Sequence, residues 1–431
     1  MTFSVDVFQN EYLPEQGREV NAIVTVTGSG TATPAAPASD RRVEVIIVDT
    51  SGSMNYPPTK LAAAKQATAV AIDTLRDDVL FAVVAGSHVA HQIYPAAGVV
   101  PATPSSRAQA KAALALMRGD GGTAIGQWLL HAQRLVAGYD DAIRHAILLT
   151  DGNNQHETAE ELDRVLTATR GAFTVDCRGV GTDWQVAELR RVATALLGTV
   201  DIVAEPAGLA DDFRAMTAAS MDKTLADVAL RLWTPQGATV RFVKQVAPDI
   251  LDLTSRRVES GPRTGDYPTG SWGGESRDYH VCVEVPPAAV GDRMLAGRVS
   301  MVLPDGTALG QGMVLAVWTD DEGLSTRINK EVAHYTGQGE LAEAIQEGLA
   351  ARKSGDVERA TAKLGRAVAL ANRLGNEDTA KLLAKVVDVE DPVRGTVRLR
   401  AAVTGVDEMT LDTRSTKTAR VRRPTTPDGE G

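Results

Sequence analysis

Between residues 43 and 221 the chain alternates strand-length apolar runs with longer amphipathic segments. VEVIIVD (43–49), LFAVVAG (80–86), HAILLTDG (145–152), AFTVDCRGV (172–180) and TVDIVA (199–204) are too apolar to leave one face in water, so both faces must be covered. Residues 59–76, 105–117, 124–136, 157–170, 184–197 and 209–221 carry helical spacing. In the first of these, Leu61, Ala64, Thr68, Ala71, Ile72 and Leu75 share one face. The alternation predicts an α/β fold: a doubly wound, mostly parallel sheet with helices on both faces. In such a sheet, ligand chemistry belongs beyond the carboxyl ends of the strands.

The flanking sequence has a different period. Phe3, Val5 and Val7 fall on one face of a first strand, and Val20, Ala22, Val24 and Val26 on one face of a second. A lone hairpin is not stable in water and needs a partner elsewhere in the chain. The segments TLADVALRLWTP, ATVRFVKQVAP, RDYHVCVEVPP, RMLAGRVSMVLP and GMVLAVWTDD, split by Pro, Gly and Asp, supply a β-sandwich pattern. The expected organisation is an N-terminal hairpin (1–28) that joins this sandwich, a Gly/Ser/Pro/Ala linker (29–41), the α/β domain (42–222), the sandwich (223–322), a helical bundle (323–390) and a largely disordered Thr/Arg-rich tail (391–431). Within the helical region, Gly348, Ala351, Gly355, Ala360 and Ala367 resemble one tetratricopeptide helix pair, too few for a solenoid.

A net charge of -10 argues against nucleic-acid binding over the whole surface. No run approaches the ~18 consecutive apolar residues of a membrane-spanning helix. The opening MTFSVDVFQNEYLPEQGREV lacks the basic-then-apolar pattern of a secretory signal, so the cytoplasm is the expected location. Cys177 and Cys282 read as buried free thiols in a reducing compartment.

The chemistry concentrates in three places. VDTSGSM (48–54) sets Asp49, Ser51 and Ser53 just past the first buried strand. RGDGGTAIG sets Thr123 in a loop between two helices, and Asp151 closes the strand AILLTD. Two carboxylates and three hydroxyls suit a hard divalent cation: Mg2+ first, with Mn2+ or Ca2+ as variants. Gly52 and the Gly121–Gly122 pair allow close backbone approach. The ordered set resembles the metal-ion-dependent adhesion site of von Willebrand factor type A domains: DxSxS, a Thr after Gly-rich sequence, and an Asp in a TDG-like strand end. The stretch 43–221 resembles such a domain, and the hairpin plus sandwich resembles bacterial cytoplasmic members of that family. The resemblance implies that the two serines touch the ion directly, the threonine directly or through water, and the aspartates mainly through water. It also implies that an Asp or Glu of a partner protein completes the shell. The loops NYPPTK (55–60), DGG (120–122) and NNQHE (153–157) are expected to surround the ion.

No enzyme is expected. Aspartyl-phosphate enzymes place DxDx after the first strand, and here the second acid is replaced by Ser51. No GxxxxGK[ST] loop occurs. His88 and His91, three apart in strand or loop sequence, should point to opposite faces, and His156 reads as a solvated loop residue near Asp151. The reading is a metal-dependent adaptor that captures an acidic residue of a protein partner, with no membrane insertion. Two alternatives stand beside it. One is a signalling substrate whose tail is phosphorylated at Thr416 or Thr418 and recruits a phosphopeptide-binding partner. The other is a subunit of a chaperone-like ATPase complex.

Overall fold

The computed structural model describes residues 1–29 and 41–421. Linker residues 30–40 and tail residues 422–431 lie outside the described residues. The central sheet runs Val200–Val203, Thr174–Val180, Ile143–Thr150, Arg42–Asp49, Leu80–Gly86, Ala90–Tyr94, with the first five strands parallel. The last strand is antiparallel and shares its neighbour with the short strand Val100–Pro101. These two edge strands were not legible in the sequence.

Both faces of the sheet are dry, as the unbroken apolar runs require. Val43, Val45 and Ile47 pack with Trp128, Leu129, Leu162 and Leu189 on one side. Ile46 and Val48 pack with Ala64, Ile72, Leu114 and Phe213 on the other. Each face is therefore covered by three helices: Ile125–Val136, Ala159–Thr169 and Val186–Ala195 on the first, Thr59–Thr74, Pro104–Leu116 and Leu209–Met221 on the second. Capping boxes at Thr103/Ser106 and Thr158/Glu161 close the starts of two of them. Strand order reverses between Arg42–Asp49 and Ile143–Thr150, whose following helices leave toward opposite faces. The carboxyl ends of that pair form the crevice where the site lies.

Two further sheets face each other across a second core. One is five-stranded, in the order Thr2–Gln9, Glu19–Ser29, Ser276–Glu284, Thr239–Ala247, Leu251–Asp252. The other is six-stranded: Val258–Gly261, Thr264–Gly273, Lys223–Trp233, Arg293–Val302, Ala308–Thr319, Tyr12–Pro14. Val24 and Val26 of the N-terminal hairpin pack with Leu230, Tyr267, Trp272, Tyr279 and Trp318. Tyr12–Pro14 crosses to the opposite sheet and pairs in parallel with Ala308–Thr319. The strand Thr264–Gly273 carries three glycines and a proline, so strand composition does not announce it; the burial of Tyr267 and Trp272 holds it in place.

The helices Lys330–Lys353, Val357–Leu374 and Glu377–Val386 bury Leu341, Ile345, Leu364, Val368 and Leu383 together. The largely disordered tail expected from residue 391 is corrected over its described part. Val387–Asp391 and Thr396–Leu399 form a two-stranded sheet, and Gly405–Arg414 is a helix that puts Leu411 into the same core. Its Thr404 side chain accepts from Asp407 N, a helix start that the sequence carries but that the absence of a long period concealed. The chain then runs along the sandwich: Ile250 N donates to Thr416 O at 2.9 Å, and Thr418 Oγ1 donates to Val246 O at 2.6 Å. Thr416 and Thr418 are half-buried in this strap.

At the amino-terminal pole of the α/β sheet, His145 sits between Glu44 (2.7 Å) and Asp176 (3.1 Å). Burial alone would lower its pKa, but the two carboxylates outweigh it and raise it to about 10. Asp176 is correspondingly held far below the usual carboxylate range, the imidazolium and Arg178 offsetting its burial. The cavity of about 440 Å³ between the α/β layer and the sandwich is lined here by charges that pair with one another: Arg178 with Asp212, and Lys223 and Arg277 with Glu275. Cys177 and Cys282 are both buried and unpaired. Among the described residues, no helix is long and apolar enough to cross a membrane.

Candidate metal centre

Asp49 ends the central strand with its carboxylate fully buried. The chain then turns so that Ser51 N donates to Asp49 Oδ1 at 2.7 Å, while Thr150 Oγ1 donates to Oδ2. Burial pushes the Asp49 pKa up to about 6; these hydrogen bonds pull it down only in part, and the charge of Asp151 adds to the rise. A short helical turn, Gly52–Asn55, lifts Ser53 toward solvent. Ser51 Oγ lies 2.9 Å from Ser53 Oγ, and Ser53 Oγ donates to Asp151 Oδ1 at 2.7 Å. The DxSxS segment and the aspartate 98 positions later are thus joined by one hydrogen-bonded chain.

Gly152 reports where the oxygens converge. A Cβ placed on it would lie 3.2 Å from Thr123 Oγ1, 3.3 Å from Ser53 Oγ and 3.9 Å from Asp49 Oδ2. The glycine keeps open a space that three of the five donors face. The three loops are tied to one another by backbone bonds: Gly52 N to Gly121 O at 2.9 Å, Asp120 N to Thr50 O at 2.7 Å, and His156 N to Thr123 O at 3.0 Å. Gly121 takes φ +76°, a conformation that costs a Cβ-bearing residue strain. Thr123 is further held through the helix that follows it. Trp128 Nε1 donates to Ser87 O at 2.6 Å, and its indole occupies the space that a side chain at position 86 would need. All five residues singled out from the sequence are brought together, with Asp49, Ser51, Thr123 and Asp151 buried and Ser53 at the opening.

Sequence reasoning placed Lys60 only as the end of a loop around the ion and missed its pairing with Asp151. Lys60 is the second residue of the helix Thr59–Thr74, 5% exposed, and its ammonium donates to Asp151 Oδ2. Asp183, an exposed acid, lies 3.7 Å from the same nitrogen. A signal was present: Lys60 stands four positions before Ala64, on the stripe that faces the sheet, where a charge needs a buried partner.

The two imidazoles near the opening are exposed. His88 and His156 have ring centroids 6.1 Å apart and cover Gly121 and Gly122, while His91 sits on the edge strand. Tyr56, which follows the turn Gly52–Asn55, is 78% exposed. Among the described residues, no group of three or more His, Cys, Asp or Glu could hold a metal.

Two family models match: "von Willebrand factor type A domain" over residues 44–202, and "von Willebrand factor type A C-terminal domain" over residues 369–415. The solved structure "von Willebrand factor type A from Catenulispora acidiphila" is 53% identical, covers 97% of each chain and superposes with a TM-score of 0.93. This chain belongs to the von Willebrand factor type A family. The ArnB paralog VWA2 from Sulfolobus acidocaldarius shares the architecture at 14% identity, with a TM-score of 0.57 over 97% of this chain and 98% of that one. An uncharacterized protein of Synechocystis sp. is 32% identical over 224 residues, which is 50% of this chain. The chain covers only 51% of that curated relative's length.

Proposed function

We propose that this von Willebrand factor type A protein is a non-enzymatic adaptor whose complete adhesion site holds a divalent ion and captures an acidic residue of a protein partner. The observation that carries the reading is the convergence at Gly152 of oxygens from Asp49, Ser53 and Thr123, with Ser51 and Asp151 joined to them through the Ser53 hydroxyl. Asp49, Ser51, Ser53, Thr123 and Asp151 would hold the ion. All donors are hard oxygens, which favours Mg2+, with Mn2+ or Ca2+ as substitutes. When bound, the ion supplies an electrophilic centre for a carboxylate oxygen. The chain's own part is to hold the hydroxyls in place through the backbone ties above, so that little ordering remains to be done on binding. The exposed ring of Tyr56 and the imidazoles of His88 and His156 form the rim that a partner must touch. Two buried free thiols are in keeping with a reducing, cytoplasmic setting.

Calorimetry of the full chain with Mg2+ or Mn2+ should show one site per chain, absent in Asp49→Ala and Asp151→Ala. Immobilised wild-type protein should retain its partner in Mg2+ and release it in EDTA or in excess acetate, while Thr123→Ala retains none. Capture that is unchanged by EDTA sinks the proposal. Turnover of phosphoesters by the pure protein with Mg2+ would overturn the non-enzymatic part.

A further inference from the structure

Lys60 has a structural position that the ligand set does not explain. Its ammonium is buried, and it binds the Asp151 oxygen that Ser53 does not use. The side chain of Asp151 is fully buried and that of Lys60 is 6% exposed, so solvent screens this pair little. A buried cation beside a cation site opposes the ion it should help to hold. The charges give it a purpose. Asp49 and Asp151 together cancel a divalent ion, which would leave the loaded site neutral and without net pull on an anion. Lys60 leaves one positive charge over.

We propose that Lys60 is the residue that sets the site's ligand preference: it weakens the hold on the metal and in return makes the loaded site select an anionic ligand. This rests on the adhesion reading above. Lys60 acts through Asp151, whose electron density it draws away from the ion's side, and through its own field, which reaches the same opening. Asp183 modulates it from outside. That carboxylate lies 3.7 Å from the ammonium with its side chain 71% exposed, so it offsets part of the Lys60 charge and is itself screened.

The test separates two affinities in the full chain: that for Mn2+, by calorimetry, and that of Mn2+-loaded protein for acetate, by water-proton relaxation. Lys60→Met should tighten Mn2+ about tenfold and weaken acetate about tenfold, a lower bound for removing one unit charge a few ångströms away in a partly shielded site. Lys60→Arg keeps the charge and should restore both values toward wild type. Asp183→Asn, at an exposed position, keeps the proposal falsifiable if Lys60→Met does not fold. It should move both affinities the opposite way, each by about twofold. If Lys60→Met weakens both affinities, Lys60 merely props Asp151 in place and the proposal is overturned. If either variant leaves acetate unchanged while wild type binds both probes, the Lys60 inference alone falls. If wild type takes up no Mn2+, the adhesion reading itself fails and this one with it.

Discussion

Replacing Asp49 by Asn should stabilise the metal-free protein while abolishing its response to metal. The Asp49 carboxylate is buried, and its pKa stands at about 6 instead of 3.8. That gap of about two units corresponds to roughly 3 kcal/mol by which the ionised form disfavours the fold, at 1.36 kcal/mol per unit. The sign follows from the direction. A carboxylate whose folded pKa is raised carries no penalty below the unfolded value, and the penalty grows as pH rises from about 4 to about 6. The amide keeps the acceptor for Ser51 N and removes the charge, but it cannot accept from Thr150 Oγ1, which returns about 1 kcal/mol. The net gain is about 1–2 kcal/mol at neutral pH. For a domain the size of the α/β layer this raises the melting temperature by roughly 3–6 °C. Thermal melts in EDTA at pH 7.5 should show it, in the transition that Mg2+ raises in wild type, and wild type and variant should converge near pH 4. Added Mg2+ should raise the wild-type midpoint and leave Asp49→Asn unmoved. A variant less stable than wild type in EDTA, or a difference that is the same at pH 4 and pH 7.5, would refute the claim that the site holds an uncompensated charge in wait for a cation.

Gly152→Ala puts a methyl group 3.2 Å from Thr123 Oγ1 and 3.3 Å from Ser53 Oγ; it should cost more than tenfold in Mn2+ affinity by calorimetry while the far-ultraviolet spectrum stays unchanged. His145→Leu leaves buried Glu44 and half-buried Asp176 without their shared cation and should cost about 3 kcal/mol in urea unfolding at pH 7. The His145 pKa is raised, so its contribution is complete below about 6.5 and fades as pH climbs to about 10; the gap between wild type and variant should narrow over that window. Deleting residues 416–431 removes the carbonyl to which Ile250 N donates, and hydrogen exchange at Ile250 should then speed up while exchange at the central strand Arg42–Asp49 stays slow.

The legibility of the site and the obscurity of its counter-charge have the same cause. Asp49, Ser51, Ser53 and Asp151 could be read because each lies within a few positions of the end of a buried strand, and in a doubly wound sheet that location has a fixed meaning. Thr123 could be read only because it came in order with the others. Lys60 could be placed only in the loop NYPPTK expected around the ion, since its pairing depends on an acid 91 positions away. The same distance effect governs the tail. Residues 396–421 have no sustained period, yet they form a strand, a helix and a strap, because Leu411 finds a core already built by Leu341, Ile345 and Leu383, and Thr418 finds carbonyls at Val246 and Pro248.

What the sequence determined by itself was whatever a few neighbouring residues decide: the dry parallel strands, the helices between them, and five oxygen donors at strand ends and a glycine-rich loop. What only the tertiary structure decided was which distant groups share a buried space. The strand Thr264–Gly273 exists because Tyr267 and Trp272 have a core to enter, and Lys60 is a functional charge because folding sets it against Asp151. Local conformation is set by local chain chemistry, whereas the energy of a buried charge or a poor strand former is set by what the rest of the chain brings to it.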